Sequence, residues 1–232
     1  MSALEHVHGL GVDPGSGDLL AATHQGVWRV QASGLGAGFS TRPTARIGEG
    51  TQDTMGFTII APGRMLASGH PDPVNNPEGD PGNLGLIEST DAAHSWKPVS
   101  LRGEADFHDL TAAPLPDNAQ RIYGYSGGTI RVSDDSGHTW RDGATLALPR
   151  LAVDPTDAAT VYATTETGLK ISHDAGFTFA PVADAPPLFL LEATSDSANR
   201  MWVWTHKTPT WVLGDDNRWQ KREEFVSLPE SI

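Results

Sequence analysis

One eight-residue pattern recurs three times, and its spacing constrains the fold more than any other feature of the chain. The copies occupy residues 89–96, 133–140 and 172–179 and share the consensus S-x-D-x-G-x-[ST]-aromatic, although Ala93 stands where the first copy should have glycine. The aspartates of successive copies are 44 and 39 residues apart. The carboxylate can accept backbone N–H groups of a tight turn, glycine permits a positive φ, and the aromatic ring fills the adjacent core. A unit that repeats about every 40 residues indicates a repeat architecture.

Short β-rich segments surround these turns, while helical periodicity is nearly absent, which indicates an all-β fold. A first-strand pattern recurs at residues 6–14, 53–62, 106–114, 148–155 and 188–194. A second-strand pattern recurs at residues 19–23, 65–69, 122–126, 161–165 and 201–205. We therefore predict that residues 1–232 form a single β-propeller domain of about five four-stranded blades.

Composition excludes several classes of function. The chain has no cysteine, which rules out disulfides, thiolate metal sites and cysteine nucleophiles. Its formal net charge of −13 disfavours nucleic acid as a partner. It contains no apolar run of about 18 residues, so we expect no transmembrane segment.

The repeated pattern resembles the Asp-box (BNR) repeat of sialidase-like β-propellers, in which it is a structural turn away from the active face. Residues 6–10, 53–57 and 68–73 are similar to segments of a bacterial family of exported Asp-box proteins labelled as glycosyl hydrolases. The resemblance implies an extracytoplasmic or secreted protein, whereas a native start at Met1 without a leader implies a cytoplasmic one. Since members of that family are longer, a six-bladed fold with a missing or incomplete blade is the alternative.

Six of the nine histidines lie on first strands or just after second strands, at positions that would bring them to the same face of a propeller. Just beyond the aligned second strands lie His24, His70 and His206, and on aligned first strands lie His6, His8 and His108. Those in the repeated turns, His94, His138 and His173, we expect to be solvated turn residues.

Imidazoles from several elements make a natural site for a divalent transition metal, and zinc and copper are the candidates. Met55 aligns with His8 and His108, and a thioether would favour copper. Asp53 and Asp106, which align with His6, would act as bases or would orient the imidazole ligands. The alternative is that these histidines fill a wet channel and bond backbone carbonyls.

Three further residues are candidates. Asp72 lies in the loop 71–83, which would be a lid over the pocket, a plain surface loop or an oxygen-rich cation loop, although its spacing matches no calcium loop. Glu166 follows a second strand and would be a general acid or base, or only a solvated carboxylate. Arg150 is the one arginine well placed to bind a ligand on this face.

The residues do not support sialidase chemistry, which needs an arginine cluster and a tyrosine nucleophile with a carboxylate partner. We therefore predict a metal-binding protein or metalloenzyme with a histidine-rich pocket that acts on a small polar ligand. One alternative is a metal-free glycoside hydrolase or lyase that uses Asp53, Asp106 or Glu166 on a carbohydrate. Another is a non-catalytic binding or assembly scaffold.

Overall fold

The computed structural model describes residues 6–33, 40–72, 82–147, 150–154, 156–185, 193–195, 201–203, 210–213 and 218–222. Within these residues the chain forms five four-stranded antiparallel sheets, and each sheet takes four strands that are consecutive in the chain. The fifth sheet is described only by strands of three or four residues. No helix in the described ranges is long and apolar enough to cross a bilayer.

The chain divides into two compact units, one made mainly of residues 1–110 and the other mainly of residues 111–230. The first unit holds two sheets. Their strands are β1 (Val7–Val12), β2 (Leu19–Thr23), β3 (Gly26–Ser33) and β4 (Ser40–Arg46), then β5 (Asp53–Ala61), β6 (Arg64–His70), β7 (Leu86–Ser89) and β8 (Lys97–Ser100).

The strands of the first unit bury one continuous core. Apolar side chains of neighbouring sheets form it, and its members include Leu20, Val27, Phe57, Met65 and Ile87. Strands β1 and β5 each contain a register shift near their N-terminal ends, after Val7 in β1 and after Thr54 in β5. Such bulges redirect the side chains next to them, which matters because candidate ligands lie there.

The second unit holds the other three sheets. Their strands are β9 (Asp109–Pro114), β10 (Gln120–Ser126), β11 (Thr129–Ser133) and β12 (Arg141–Thr145), then β13 (Arg150–Val153), β14 (Val161–Thr165), β15 (Gly168–Ser172) and β16 (Ala180–Pro181), and finally β17 (Ala193–Ser195), β18 (Met201–Val203), β19 (Thr210–Leu213) and β20 (Trp219–Arg222). The fully buried Tyr123 and Ile130 belong to its core.

The predicted fold class is confirmed: the protein is all-β, and its four-stranded antiparallel sheets have a β-propeller arrangement. The predicted second strands at residues 19–23 and 161–165 agree with β2 and β14 at both ends. The first strand predicted at residues 106–114 begins three residues later, so Asp106 and His108 precede β9. A six-bladed fold with an incomplete blade also fits these sheets, and the single-domain assignment stays a prediction.

The repeated turns have the local structure that the sequence predicts. In the third copy, Asp174 Oδ1 accepts the backbone N–H of Thr178 at 2.9 Å, and Oδ2 accepts its hydroxyl at 2.6 Å. These bonds, the side-chain bond foremost, lower the pKa of Asp174 to about 2. In the first copy, hydrogen bonds from Ser95 likewise lower the pKa of Asp91 to about 2. Each copy contains two consecutive residues with positive φ, and Ala93 adopts +68° where the other copies have glycine.

The first repeated turn also marks one end of its sheet. Ala92 N donates to Gly63 O at 2.9 Å, so this turn lies beside the β5–β6 hairpin. At the opposite end of the same two strands, Asp53 is paired with His70. The turn and its exposed His94 therefore lie far from the candidate site. His138 and His173 are exposed as well, in agreement with their interpretation as solvated turn residues.

Candidate metal centre

Five histidines and two aspartates of the first unit lie close together at one end of its strands. His6 precedes β1, His8 lies in the β1 bulge, and His24 occupies the turn between β2 and β3. Val7 pairs with Thr23 and Asp53 pairs with His70, so the start of each first strand lies beside the end of its second strand. Asp106 and His108 join this set from the segment before β9.

Three imidazoles form the first part of the site. The nitrogens that His6, His8 and His24 offer all lie within 4.8 Å of one another, and His8 Nε2 is 3.4 Å from His24 Nδ1. The His6 ring stacks on the His24 ring with centroids 5.1 Å apart, while the His8 ring meets the His24 ring edge to face at 4.5 Å. His6 has φ of +50°, a left-handed conformation that is uncommon outside glycine.

Asp53 faces two groups of histidines with its two carboxylate oxygens. Its Oδ1 lies 2.8 Å from His24 Nδ1 and 3.5 Å from His8 Nε2, and its Oδ2 lies 3.5 Å from His70 Nδ1. Although His24 is close, Oδ1 is a buried atom that accepts no well-aligned hydrogen bond from any described residue. A buried carboxylate oxygen is stabilised by a directed donor or a cation, and the His24 and His8 imidazoles are the groups beside this one.

Asp106 has a similar environment on the other side of His70. Its Oδ2 lies 2.8 Å from His108 Nε2 and 3.4 Å from His70 Nε2. Its Oδ1 is the second buried carboxylate oxygen without an aligned hydrogen bond among the described residues. The two carboxylates are 20% and 15% exposed, whereas His70 and His108 are 43% and 53% exposed, so the imidazoles have more room to move than the carboxylates.

Backbone packing fixes the position of both aspartates. Gly69 has φ of +137°, and a Cβ at this position would lie 1.9 Å from the carbonyl oxygen of Asp53, so only glycine permits this approach. The segment that carries Asp106 is anchored by the fully buried Phe107, whose N–H donates to Ser68 Oγ at 2.9 Å. The ligand candidates therefore project from a well-packed backbone.

The structure places the remaining candidates elsewhere or leaves them open. Asp72 accepts a hydrogen bond from the Thr51 hydroxyl, which gives this carboxylate a structural partner. Arg150 begins β13, and Glu166 is an exposed residue in the β14–β15 turn, so both belong to the second unit. His206 lies outside the described residues, as do residues 73–81 of the predicted lid.

The sequence grouped the histidines by equivalent positions and indicated Asp53 as a partner of the imidazoles, and the structure shows which histidines this carboxylate contacts. The alignment placed His24, His70 and His206 in one group and His6, His8 and His108 in another. In the structure His6, His8 and His24 meet, and Asp53 lies between this cluster and His70. The available signal was the antiparallel pairing of a first strand with its own second strand, which brings residue 53 beside residue 70.

Comparisons with known proteins identify the fold. No protein-family model matches the sequence, and no curated protein matches it. A GH74 enzyme from Niastella koreensis superposes with a TM-score of 0.62 at 16% identity, and an ancestral GH74 enzyme superposes with a TM-score of 0.54 at 14% identity. These matches cover 95% and 98% of this chain but only 38% and 32% of the two GH74 chains. A gluconolactonase from Xanthomonas campestris has a TM-score of 0.52 at 15% identity, over 86% of this chain and 69% of that one.

Proposed function

We propose that the protein binds a divalent transition metal, zinc or copper(II), through His6, His8, His24 and Asp53. The observation that carries the proposal is a cluster of three imidazoles, two of which, His8 and His24, also approach a buried oxygen of Asp53 that lacks an aligned donor. Neutral imidazole and carboxylate are the donors that zinc and copper(II) bind well, and no thiolate is available in this cysteine-free chain.

The distances between the candidate ligand atoms are close to those of a tetrahedral metal site. Ligand atoms about 2.0–2.1 Å from a tetrahedral ion lie about 3.3–3.4 Å from one another. The 3.4 Å separation between His8 Nε2 and His24 Nδ1 and the 3.5 Å separation between His8 Nε2 and Asp53 Oδ1 are close to this edge length. The 2.8 Å approach of His24 to Asp53 is shorter, and a bound ion would draw these two groups apart by about half an ångström.

The position of the site suits a metalloenzyme that acts on a small polar molecule. His6 and His24 are exposed, so a ligand can reach the ion, while the less exposed His8 and Asp53 would hold it on the protein side. A divalent ion there would supply Lewis-acid chemistry.

The experiment is a zinc titration of protein purified without an affinity tag, by calorimetry and elemental analysis. We expect bound metal in the wild-type protein and loss of the binding at these ligands in the double variant His8→Ala/His24→Ala. The matched control is His138→Ala, which removes an exposed imidazole from a repeated turn and should leave binding unchanged. Equal binding by the double variant and the control, with unchanged circular dichroism, would refute the proposed ligands.

A metal-free hydrolase or lyase of carbohydrates is the second candidate. The pair of carboxylates on either side of His70 favours it, because glycosidases use two carboxylates, and GH74 enzymes share the fold. This mechanism predicts activity that survives a chelator and is lost in Asp53→Asn and in Asp106→Asn. The metal mechanism predicts activity that a chelator abolishes and added zinc restores.

A further inference from the structure

We infer that the first unit holds a second metal position, formed by His70, His108 and Asp106 and linked to the first through Asp53. This inference rests on the proposed function, since it assigns Asp53 as a ligand of the first ion. Two imidazole nitrogens, His108 Nε2 at 2.8 Å and His70 Nε2 at 3.4 Å, converge on the same oxygen of Asp106. Two histidines and one carboxylate with open positions are a common ligand set for a divalent transition metal.

The two oxygens of Asp106 give independent support. Oδ2 receives both imidazoles, while Oδ1 is buried without an aligned hydrogen bond among the described residues. Because a charged oxygen in such a position must find a cation or an ordered donor, a cation that binds both oxygens of Asp106 would explain both observations. Since His70 and His108 are about half exposed, their rings are free to rotate, and an ion would draw them together around the less exposed Asp106.

His70 connects the two positions through its two ring nitrogens. Its Nδ1 lies 3.5 Å from Asp53 Oδ2, and its Nε2 lies 3.4 Å from Asp106 Oδ2. Both separations exceed a normal N–H···O distance of about 2.7–3.2 Å, so neither contact is a strong hydrogen bond. With Nε2 on the second ion, Nδ1–H can donate to the Asp53 oxygen that does not face the first ion. A ligating histidine whose other nitrogen donates to a carboxylate is a frequent arrangement in metal sites.

The test is the zinc-to-protein ratio of untagged protein, measured by elemental analysis and by calorimetric titration with zinc alone. Wild-type protein should bind two ions, and His108→Ala should bind one with the first-site affinity unchanged. His70→Ala should also bind one, with a first-site affinity lower by less than about 10-fold, because the contact with Asp53 that it removes is long. Asp106→Asn, which preserves shape, should also bind one, and circular dichroism of each variant checks the fold.

The outcomes separate the two proposals. One ion that is lost in His8→Ala/His24→Ala and retained in His108→Ala and Asp106→Asn would overturn the second position and leave the first. One ion that is lost in His108→Ala and retained in His8→Ala/His24→Ala would overturn the first position. A ratio of zero in the wild-type protein would overturn both.

Discussion

Replacing Asp174 by alanine tests the physical role of the repeated turn. This carboxylate accepts hydrogen bonds from the hydroxyls of Ser172 and Thr178 and from the backbone N–H groups of Phe177 and Thr178, at 2.6–3.1 Å. These bonds lower its pKa from 3.8 to about 2. The variant removes one acceptor that serves four donors while leaving the strands unchanged.

The expected loss follows from proton linkage. A shift of nearly two units corresponds to an upper limit of about 2.4 kcal/mol, since each unit is about 1.4 kcal/mol. The turn is exposed and water replaces part of the lost bonding, so we discount this to about 1 kcal/mol. For a chain of this size the midpoint of thermal unfolding should fall by about 2–4 °C.

The pH dependence has a defined sign. Because the pKa of Asp174 is lower in the folded state, its stabilising contribution is complete above pH 4 and disappears as the pH falls towards 2. Urea unfolding of both proteins between pH 7 and pH 2.5 should therefore show a difference that narrows below pH 4. Glu166→Ala is the control, since it removes an exposed carboxylate at the other end of β15. A difference that is absent at pH 7, or that persists undiminished at pH 2.5, would refute the reasoning.

Three other substitutions have defined expectations. Ala93→Gly should change the free energy of unfolding by less than about 1 kcal/mol, as measured by chemical denaturation. Glycine relieves the left-handed strain at this position, but the variant loses a buried methyl group and gains backbone freedom in the unfolded chain. Gly69→Ala should destabilise the fold by more than about 2 kcal/mol and weaken metal binding, because its Cβ would collide with the Asp53 carbonyl; wild-type stability and affinity would contradict this. Tyr123→Phe should lower the free energy of unfolding by about 1 kcal/mol, because the Tyr123 hydroxyl donates to Ala158 O at 2.7 Å. Burial raises the pKa of Tyr123 to about 12, and ultraviolet titration of the variant should show that this ionisation is lost.

Local patterns in the sequence were sufficient for the fold. The turns at residues 89–96 and 172–179 are stabilised mainly by their own side chains, so eight consecutive residues contain most of the information that they need. Each turn adds one backbone bond to a neighbouring hairpin, from Ala92 N to Gly63 O and from Ala175 N to Ala159 O. Antiparallel strands of a blade are also neighbours in the chain, which makes their pairing easy to predict from short connections. The strand ends were less certain, as the start of β9 shows, because tertiary packing decides where a ladder ends.

The candidate site required the tertiary structure. The sequence placed His24 and His70 at equivalent positions in neighbouring blades, and it showed that Asp53 aligns with Asp106. It did not determine which nitrogen faces which oxygen, because that depends on a bulge in β1, on the close approach of Gly69 to the Asp53 backbone and on packing between sheets.

The sequence by itself determined the elements that are built from local contacts: the strands, the turns and their repeat. Only the tertiary structure decided that His6, His8 and His24 meet, that His8 and His24 approach Asp53, and that His70 lies between two carboxylates. The physical reason is that contacts within a turn depend on neighbouring residues alone. Contacts of residue 53 with residues 8 and 24, and of residue 70 with residues 53 and 106, depend on the geometry of several strands together. A register shift of one residue in any of these strands turns a side chain to the opposite face.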